Sequence, residues 1–254
     1  MKGRFGKMVV IGLLLIGAAI AINGVLYASG VSPFNMTEIR ESRSVAADGS
    51  RIEIRSEDGD VRVVVGGGEA ITATVEGRTG RLHKDEIRLE VSERDGKVVI
   101  EASREAKRRL ISLNPGEYRL LVELPDRRYE QVEIVTVAAD ITVEAVRANR
   151  FGMESVSGEI KTSGLSGSID ARTEAGDIEL GVTAIEGDIF AETGLGDIEV
   201  VTEEASEQVA LDLRTLLGEQ KIGLPGTEVV SPGPEVPLVR LVSKTGDIGV
   251  SAGR

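Results

Sequence analysis

Five aspartates, Asp60, Asp177, Asp188, Asp197 and Asp247, each stand directly between a glycine and a valine or isoleucine. Carboxylates repeated at turns are the residue type that holds calcium in stacked repeats, which makes Asp177, Asp188, Asp197 and Asp247 the calcium candidates. A calcium β-roll also draws carbonyl ligands from paired glycine-rich turns, whereas each turn here has one glycine. Hydrogen bonding of each Asp to amides of its own turn is therefore the favoured role. Glu174, Glu186 and Glu192 lie near the same turns and are the acids a glycan-cleaving pair would use, but nothing marks one of them as buried with a raised pKa. Thr173, Thr193 and Thr215 recur in T-x-x-G and read as turn residues before they read as a hydroxyl ladder of the ice-binding kind. His83 is the only histidine and sits in a polar stretch, so exposure is expected. With that one imidazole and no cysteine, His- or Cys-based zinc clusters, a Cys nucleophile and disulfides are excluded.

These residues belong to a repeated phrase that must position them. IDARTEAGDIEL from Ile169 and IFAETGLGDIEV from Ile189 share the pattern apolar-x-apolar-x-Thr-x-x-Gly-Asp-Ile-x-apolar. Looser copies begin at Ile52, Phe151, Leu211 and Val239. In all six, the fifth position is Ser or Thr and the eighth is Gly, at Gly59, Gly158, Gly176, Gly196, Gly218 and Gly246. Alternation with a period of two on both sides of the glycine predicts strand, tight turn, strand. The last five copies are spaced by 18, 20, 22 and 28 residues, with a second glycine between several of them. Each interval thus holds about two strands and two turns. Such a unit buries its apolar face only by stacking on its neighbours. The pattern predicts an all-β fold, a β-solenoid or β-roll of short stacked strands, with a β-sandwich of hairpins as the alternative.

Composition narrows the function. The net charge of −12 argues against nucleic acid, whose phosphates require a basic face. With 3% aromatic residues and no Trp, the core must be built from Val, Ile, Leu and Ala, which suits a thin β-stack better than a deep ligand pocket. No cofactor is implied and no enzyme is expected.

At the N-terminus, Lys2, Arg4 and Lys7 precede Met8–Ala28, an apolar run whose one clearly polar residue is Asn23. As a helix this run spans about 31 Å, matching a bilayer's hydrocarbon thickness. Residues 1–30 thus read as a membrane anchor, a single pass with its basic flank cytoplasmic and the rest exported. A cleaved signal segment ending near Ala28-Ser29-Gly30 is the alternative. Residues 31–48 read as a tether and 49–254 as one extracytoplasmic β-repeat domain. Glu101–Arg109 is the one locally basic segment, able to meet anionic lipid or wall polymer, or simply a solvated loop. Leu224–Pro237 holds four of the seven prolines and reads as an inserted loop.

The N-terminal segment, the strand–Pro phrase YRLLVELPDRRYEQVEI and the G-D-I repeats at Gly176, Gly187, Gly196 and Gly246 resemble a bacterial adhesin-type family of membrane-anchored or secreted short-strand repeat proteins, a domain of unknown function. The resemblance covers about residues 45–254. It implies a solenoid-like fold at the cell envelope, with roles in adhesion or envelope-stress systems and no catalytic residues. Glu219-Gln220 departs from the pattern in the Leu211 copy. The expected function is a non-enzymatic, membrane-anchored binding or scaffold protein contacting envelope proteins or wall polymer. The alternatives are a β-helix enzyme acting on envelope glycans and a self-assembling solenoid scaffold. Because the last copy ends at Val250, its strand is the expected open edge for self-association.

Overall fold

Period-two alternation gives each repeat one buried and one solvated side, and the glycine corner lets its two strands lie on opposite walls of one core. The computed structural model describes residues 2–28, 36–46, 49–80, 83, 85–105 and 116–253, with the side chains of the N-terminal helix from residue 12. These hold helix α1 (Lys2–Ala28) and nineteen strands. The strands form two largely parallel sheets, and the fold is an all-β two-walled solenoid rather than a sandwich of hairpins.

Among the described residues the pairings define eight rungs, each with one strand from the back sheet and one from the front. In stack order they begin with β6 (Lys97–Arg104) and β7 (Glu117–Pro125), then β2 (Arg51–Ser56) and β3 (Asp60–Gly66). Next come β8 (Arg128–Thr136) with β9 (Ile141–Glu144), and β10 (Arg147–Ser157) with the first part of β11 (Ile160–Ala175). The second part of β11 joins β12 (Ile178–Val182), followed by β13 (Ile189–Leu195) with β14 (Ile198–Thr202). Last are β18 (Leu238–Thr245) with β19 (Ile248–Ala252), then β15 (Gln208–Leu217) with β16 (Gln220–Gly223). Strand β11 serves both sheets by bending near Gly164 and Gly167, whose φ angles of 60° and 133° suit glycine. Seven spacings of about 4.8 Å make the stack roughly 34 Å long.

Inward side chains stack in columns. Ile141, Ile160, Ile178, Ile198 and Ile248 share one register in the front sheet, all buried. Ile52, Val132, Phe151, Ile169, Ile189 and Val239 form the matching column in the back sheet. The predicted inward alignment of Ile178, Ile198 and Ile248 is therefore present. A further copy of the phrase, from Val132, also fits the register. It has Ala139 where the others have glycine, which is why a search anchored on glycine passed over it.

Spatial order departs from sequence order at both ends. Rung β2–β3 lies between β6–β7 and β8–β9, and rung β18–β19 lies between β13–β14 and β15–β16. This corrects the expected C-terminal edge. Strand β19 is paired on both sides, to β14 and β16, so it offers no edge for self-association. The Pro-rich stretch after β16 makes this possible: it carries β17 (Glu228–Val230) and then returns the chain one rung inward.

The ends of the stack differ. At the first, β4 (Ala70–Gly80) pairs antiparallel with β7 and with β1 (Met36–Ala46), and β5 (Ile87–Arg94) pairs antiparallel with β6. Residues 36–46, read as tether, are thus a strand of the domain. The antiparallel alternation of Glu38, Arg40, Glu76 and Arg78 holds them there. Residues 29–30 of the anchor segment, 31–35 and 47–48 of the tether, and 106–109 of the basic segment lie outside the described residues. Helix α1 contributes nothing to the core cluster, and its apolar side chains, such as Leu13, Leu14 and Ile20, are 64–68% exposed. Among the residues described with their side chains, which include only 12–28 of α1, no helix is long and apolar enough to cross a membrane.

Candidate interaction surface

The repeat corners account for most of the residues that first looked chemical. The fifth-position hydroxyl turns inward and donates to the glycine carbonyl of the preceding rung. Thr173 Oγ1 reaches Gly158 O at 3.1 Å, Thr193 Oγ1 reaches Gly176 O at 2.9 Å, Ser243 Oγ reaches Gly196 O at 3.0 Å, and Thr215 Oγ1 reaches Gly246 O at 2.9 Å. Thr173 and Thr193 are buried, so no solvent-facing hydroxyl ladder runs along them.

The aspartates bond across rungs rather than within their own turns. Asp177 Oδ1 accepts from the amide of Asp197 at 2.8 Å, Asp197 Oδ1 from that of Asp247 at 2.7 Å, and Asp247 Oδ1 from that of Glu219 at 2.9 Å. At the other corner, Asp188 Oδ1 accepts from Leu238 N at 2.9 Å. The own-turn expectation is corrected because each corner amide faces the neighbouring rung. The Glu219 amide, and then Lys221 beside it, hold the Asp247 carboxyl below its usual value. Among the described residues no group of three or more His, Asp or Glu is arranged to hold a metal ion.

The remaining acids lie on open surface. Glu186 accepts from Ser166 Oγ at 2.7 Å, and the two principal grooves among the described residues are lined by none of Glu174, Glu186 and Glu192. The acid that stands out is Asp170, which the sequence did not single out. Partial burial pushes its pKa up, Arg172 opposes the shift, and Glu154 and Glu192 add to it. Asp170 lies on the solvent side of the back sheet, where Arg172 bonds it at 2.9 Å and stacks 5.0 Å from the Phe190 ring centre. Asp170, Arg172 and Phe190 thus form a surface cluster. His83 is also corrected: in the turn between β4 and β5 it is buried and bonds buried Glu86 at 2.7 Å, and its amide donates to Gly80 O at 2.7 Å.

Two surface features remain. At the closed end, a groove of about 700 Å³ is lined by Ile39, Tyr118 and alternating charges including Glu38, Arg78, Glu117 and Arg119. Most of those charges face an opposite charge across the strands, in the row Glu38–Arg78–Glu117. At the other end, β17 covers only Gln208–Ala210 of β15. Beyond that, among the described residues, no strand lies outside β15 or β16. Leu216 and Leu217 are 80% and 70% exposed, and Ile222 and Val229 are 57% and 52%. In solenoids a polar capping unit normally covers this position. The uncapped apolar rung is the feature the sequence missed, because Leu211–Ile222 reads as one more internal copy.

Fold and surface together define an all-β repeat module with one end closed by antiparallel strands and the other open. Residues 123–231, from the end of β7 through β17, match the family model described as Toastrack DUF4097. The match agrees with the adhesin-type family recognised from the repeats. Solved structures similar to this chain include a candidate cell adhesion protein from Clostridium sporogenes ATCC 15579, 9% identical with a TM-score of 0.49, covering 85% of this chain and 100% of that one. A candidate adhesin from Bacteroides fragilis NCTC 9343 is 10% identical with a TM-score of 0.45, covering 85% and 97%. A candidate lipid binding protein from Parabacteroides distasonis ATCC 8503 is 13% identical with a TM-score of 0.28, covering 83% and 96%. No curated protein matches the chain.

Proposed function

We propose that this protein is a non-enzymatic binding or scaffold module of the bacterial cell envelope, held at the membrane by α1 as a single pass with its N-terminus cytoplasmic. The polarity of the stack carries the reading. The chain enters the domain through β1, the outermost front strand at the closed end, while the uncapped apolar rung lies at the opposite pole. A module tethered at its sealed end and open at its far end presents the open end to whatever lies beyond the membrane. The exposed apolar side chains of α1 such as Leu13, Leu14 and Ile20, none of them in the core cluster, and the basic residues Lys2, Arg4 and Lys7 support the anchor. The acids lining the closed-end groove face opposite charges across the strands, Glu38 and Glu117 beside Arg78 and Glu76 beside Arg40 and Arg119, which favours binding over glycan hydrolysis. Envelope proteins and wall polymer are the partners this reading names.

Expression of the full chain in a bacterial host tests it. The protein should remain in the membrane pellet after a high-salt wash, and protease added outside the cytoplasmic membrane should remove the domain. Recovery of an intact, salt-extractable protein would overturn the anchor. Release of soluble fragments from peptidoglycan or teichoic acid would overturn the binding reading, whereas retention without turnover supports it.

A further inference from the structure

The open rung has a charge order that names its own partner. Its inward residues are Leu211, Leu213 and Thr215 on β15, continuing the column of Val239, Leu241 and Ser243, and Gln220 and Ile222 on β16, continuing Ile248 and Val250. Its outward charges, in chain order, are Asp212, Arg214, Glu219 and Lys221, two of each sign. Read backwards, this series is its own opposite. An edge that must pair antiparallel with a copy of itself therefore meets opposite charges throughout. In a chain of net charge −12, this edge carries no net charge of its own.

We propose that the open rung docks head to head on the open rung of a second copy of this chain, β15 of each lying antiparallel against β16 of the other about a two-fold axis. The corner between β15 and β16 makes that exchange geometrically natural. A two-fold axis through the corner, in the plane of the rung, swaps the two strands and reverses their direction.

Register then follows from two requirements. Keeping inward side chains opposite inward side chains allows Leu211 to face Ile222 of the partner subunit, or a shift by two residues either way. In the first register Asp212 faces Lys221 of the partner subunit, Arg214 faces Glu219 of the partner subunit, and Leu216 meets Leu217 of the partner subunit. A shift one way sets Arg214 against Lys221 of the partner subunit, and a shift the other way sets Asp212 against Glu219 of the partner subunit. Like charges directly opposite are unfavourable, so the first register is selected. It also buries Leu216 and Leu217, the most exposed apolar residues of the domain. The existing bonds of Arg214 to Asp212 at 2.8 Å and of Lys221 to Asp247 at 3.0 Å already hold these side chains on the outer faces of their sheets.

This inference does not rest on the membrane reading, and its failure would leave that reading standing. The chain has no cysteine, so any disulfide dimer reports an introduced pair. The full chain is purified in detergent, its mass is measured by light scattering up to about 100 µM, and cysteine variants are mildly oxidised. The expected result is a dimer, with Asp212→Cys/Lys221→Cys forming a covalent dimer and Asp212→Cys/Gly223→Cys, which samples a shifted register, remaining uncrosslinked. Leu216→Asp should weaken the dimer at least tenfold. Arg214→Glu should weaken it as well, and Arg214→Glu/Glu219→Arg should restore it, a rescue that damaged folding would not produce. A monomer throughout, equal crosslinking of the two cysteine pairs, or a dimer indifferent to Leu216→Asp overturns the proposal. That last outcome would place the contact in α1.

Discussion

Gly196→Ala tests the stacking directly, because the rung below leaves no room for a side chain. A Cβ built on Gly196 would lie 2.1 Å from Gly176 O, 2.6 Å from its carbonyl carbon and 2.8 Å from Asp177 Oδ1. The first two are backbone atoms fixed by the adjoining strands, so relief requires the rungs to part. The φ of 146° adds strain of about 1–3 kcal/mol for any residue with a side chain. Parting the rungs also stretches the bonds from Thr193 Oγ1 to Gly176 O, 2.9 Å, and from the Asp197 amide to Asp177, 2.8 Å, each contributing about 1 kcal/mol. The sum is about 3–5 kcal/mol. At about 2–4 °C per kcal/mol for a domain of this size, the melting temperature should fall by at least about 6 °C. Gly249→Ala is the matched control. Its nearest neighbours would be 3.7 and 3.9 Å away, φ is ordinary, and the change should stay within about 0.5 kcal/mol. Thermal denaturation of the full chain in detergent, followed by far-UV circular dichroism, compares the two. A Gly196→Ala protein melting within 2 °C of the parent would refute the close stacking of corners.

Three further outcomes follow from the geometry. Burial pushes the Tyr118 hydroxyl up to about 12, above its unfolded value near 10. The stability this group supplies is therefore complete below pH 10 and lost as pH rises through 12, and Tyr118→Phe should flatten that alkaline loss in melting temperature. Asp247 is held low by the Glu219 amide and Lys221, so its contribution is present above pH 4 and disappears as pH falls, and Lys221→Ala should raise its pKa in an NMR titration. His83→Ala removes the 2.7 Å bond to buried Glu86 and should cost about 2 kcal/mol, seen as a lower melting temperature, whereas an exposed histidine would show no change.

The repeat was legible in the sequence because it depends on local chemistry: a hydroxyl at the fifth position, glycine where the next rung touches, and apolar residues on one side. That local grammar placed Ile178, Ile198 and Ile248 in one column without any knowledge of the fold. It failed where the outcome depended on partners distant in sequence. The Val132 copy was hidden because Ala139 takes the corner at an ordinary φ, so glycine was not required there. Met36–Ala46 looked like tether because its alternation is mostly polar, and only pairing with β4 makes it a strand. His83 stands among polar residues in sequence, yet it is buried against Glu86 in space. In the last two rungs β18, not β15, pairs with β13, an order that the spacing of 28 residues permits and does not dictate.

That reversal of order gives a decisive measurement. In a solenoid wound in sequence order, β19 would be the terminal strand, and its amides would exchange with solvent fastest. Here the amide of Ile248 donates to Glu219 O at 2.9 Å and β19 lies between β14 and β16, while β16 is exposed along its whole length. Hydrogen exchange of the full chain should therefore protect Ile248–Ala252 about as well as Ile198–Thr202, and Gln220–Gly223 should exchange markedly faster. If the chain dimerises through the open rung, protection of Gln220–Gly223 should rise with protein concentration while that of Ile248–Ala252 stays constant. Fast exchange across Ile248–Ala252 at every concentration would mean that the last rung is not intercalated. In that case the C-terminal strand, rather than β15 and β16, would be the free edge of the stack.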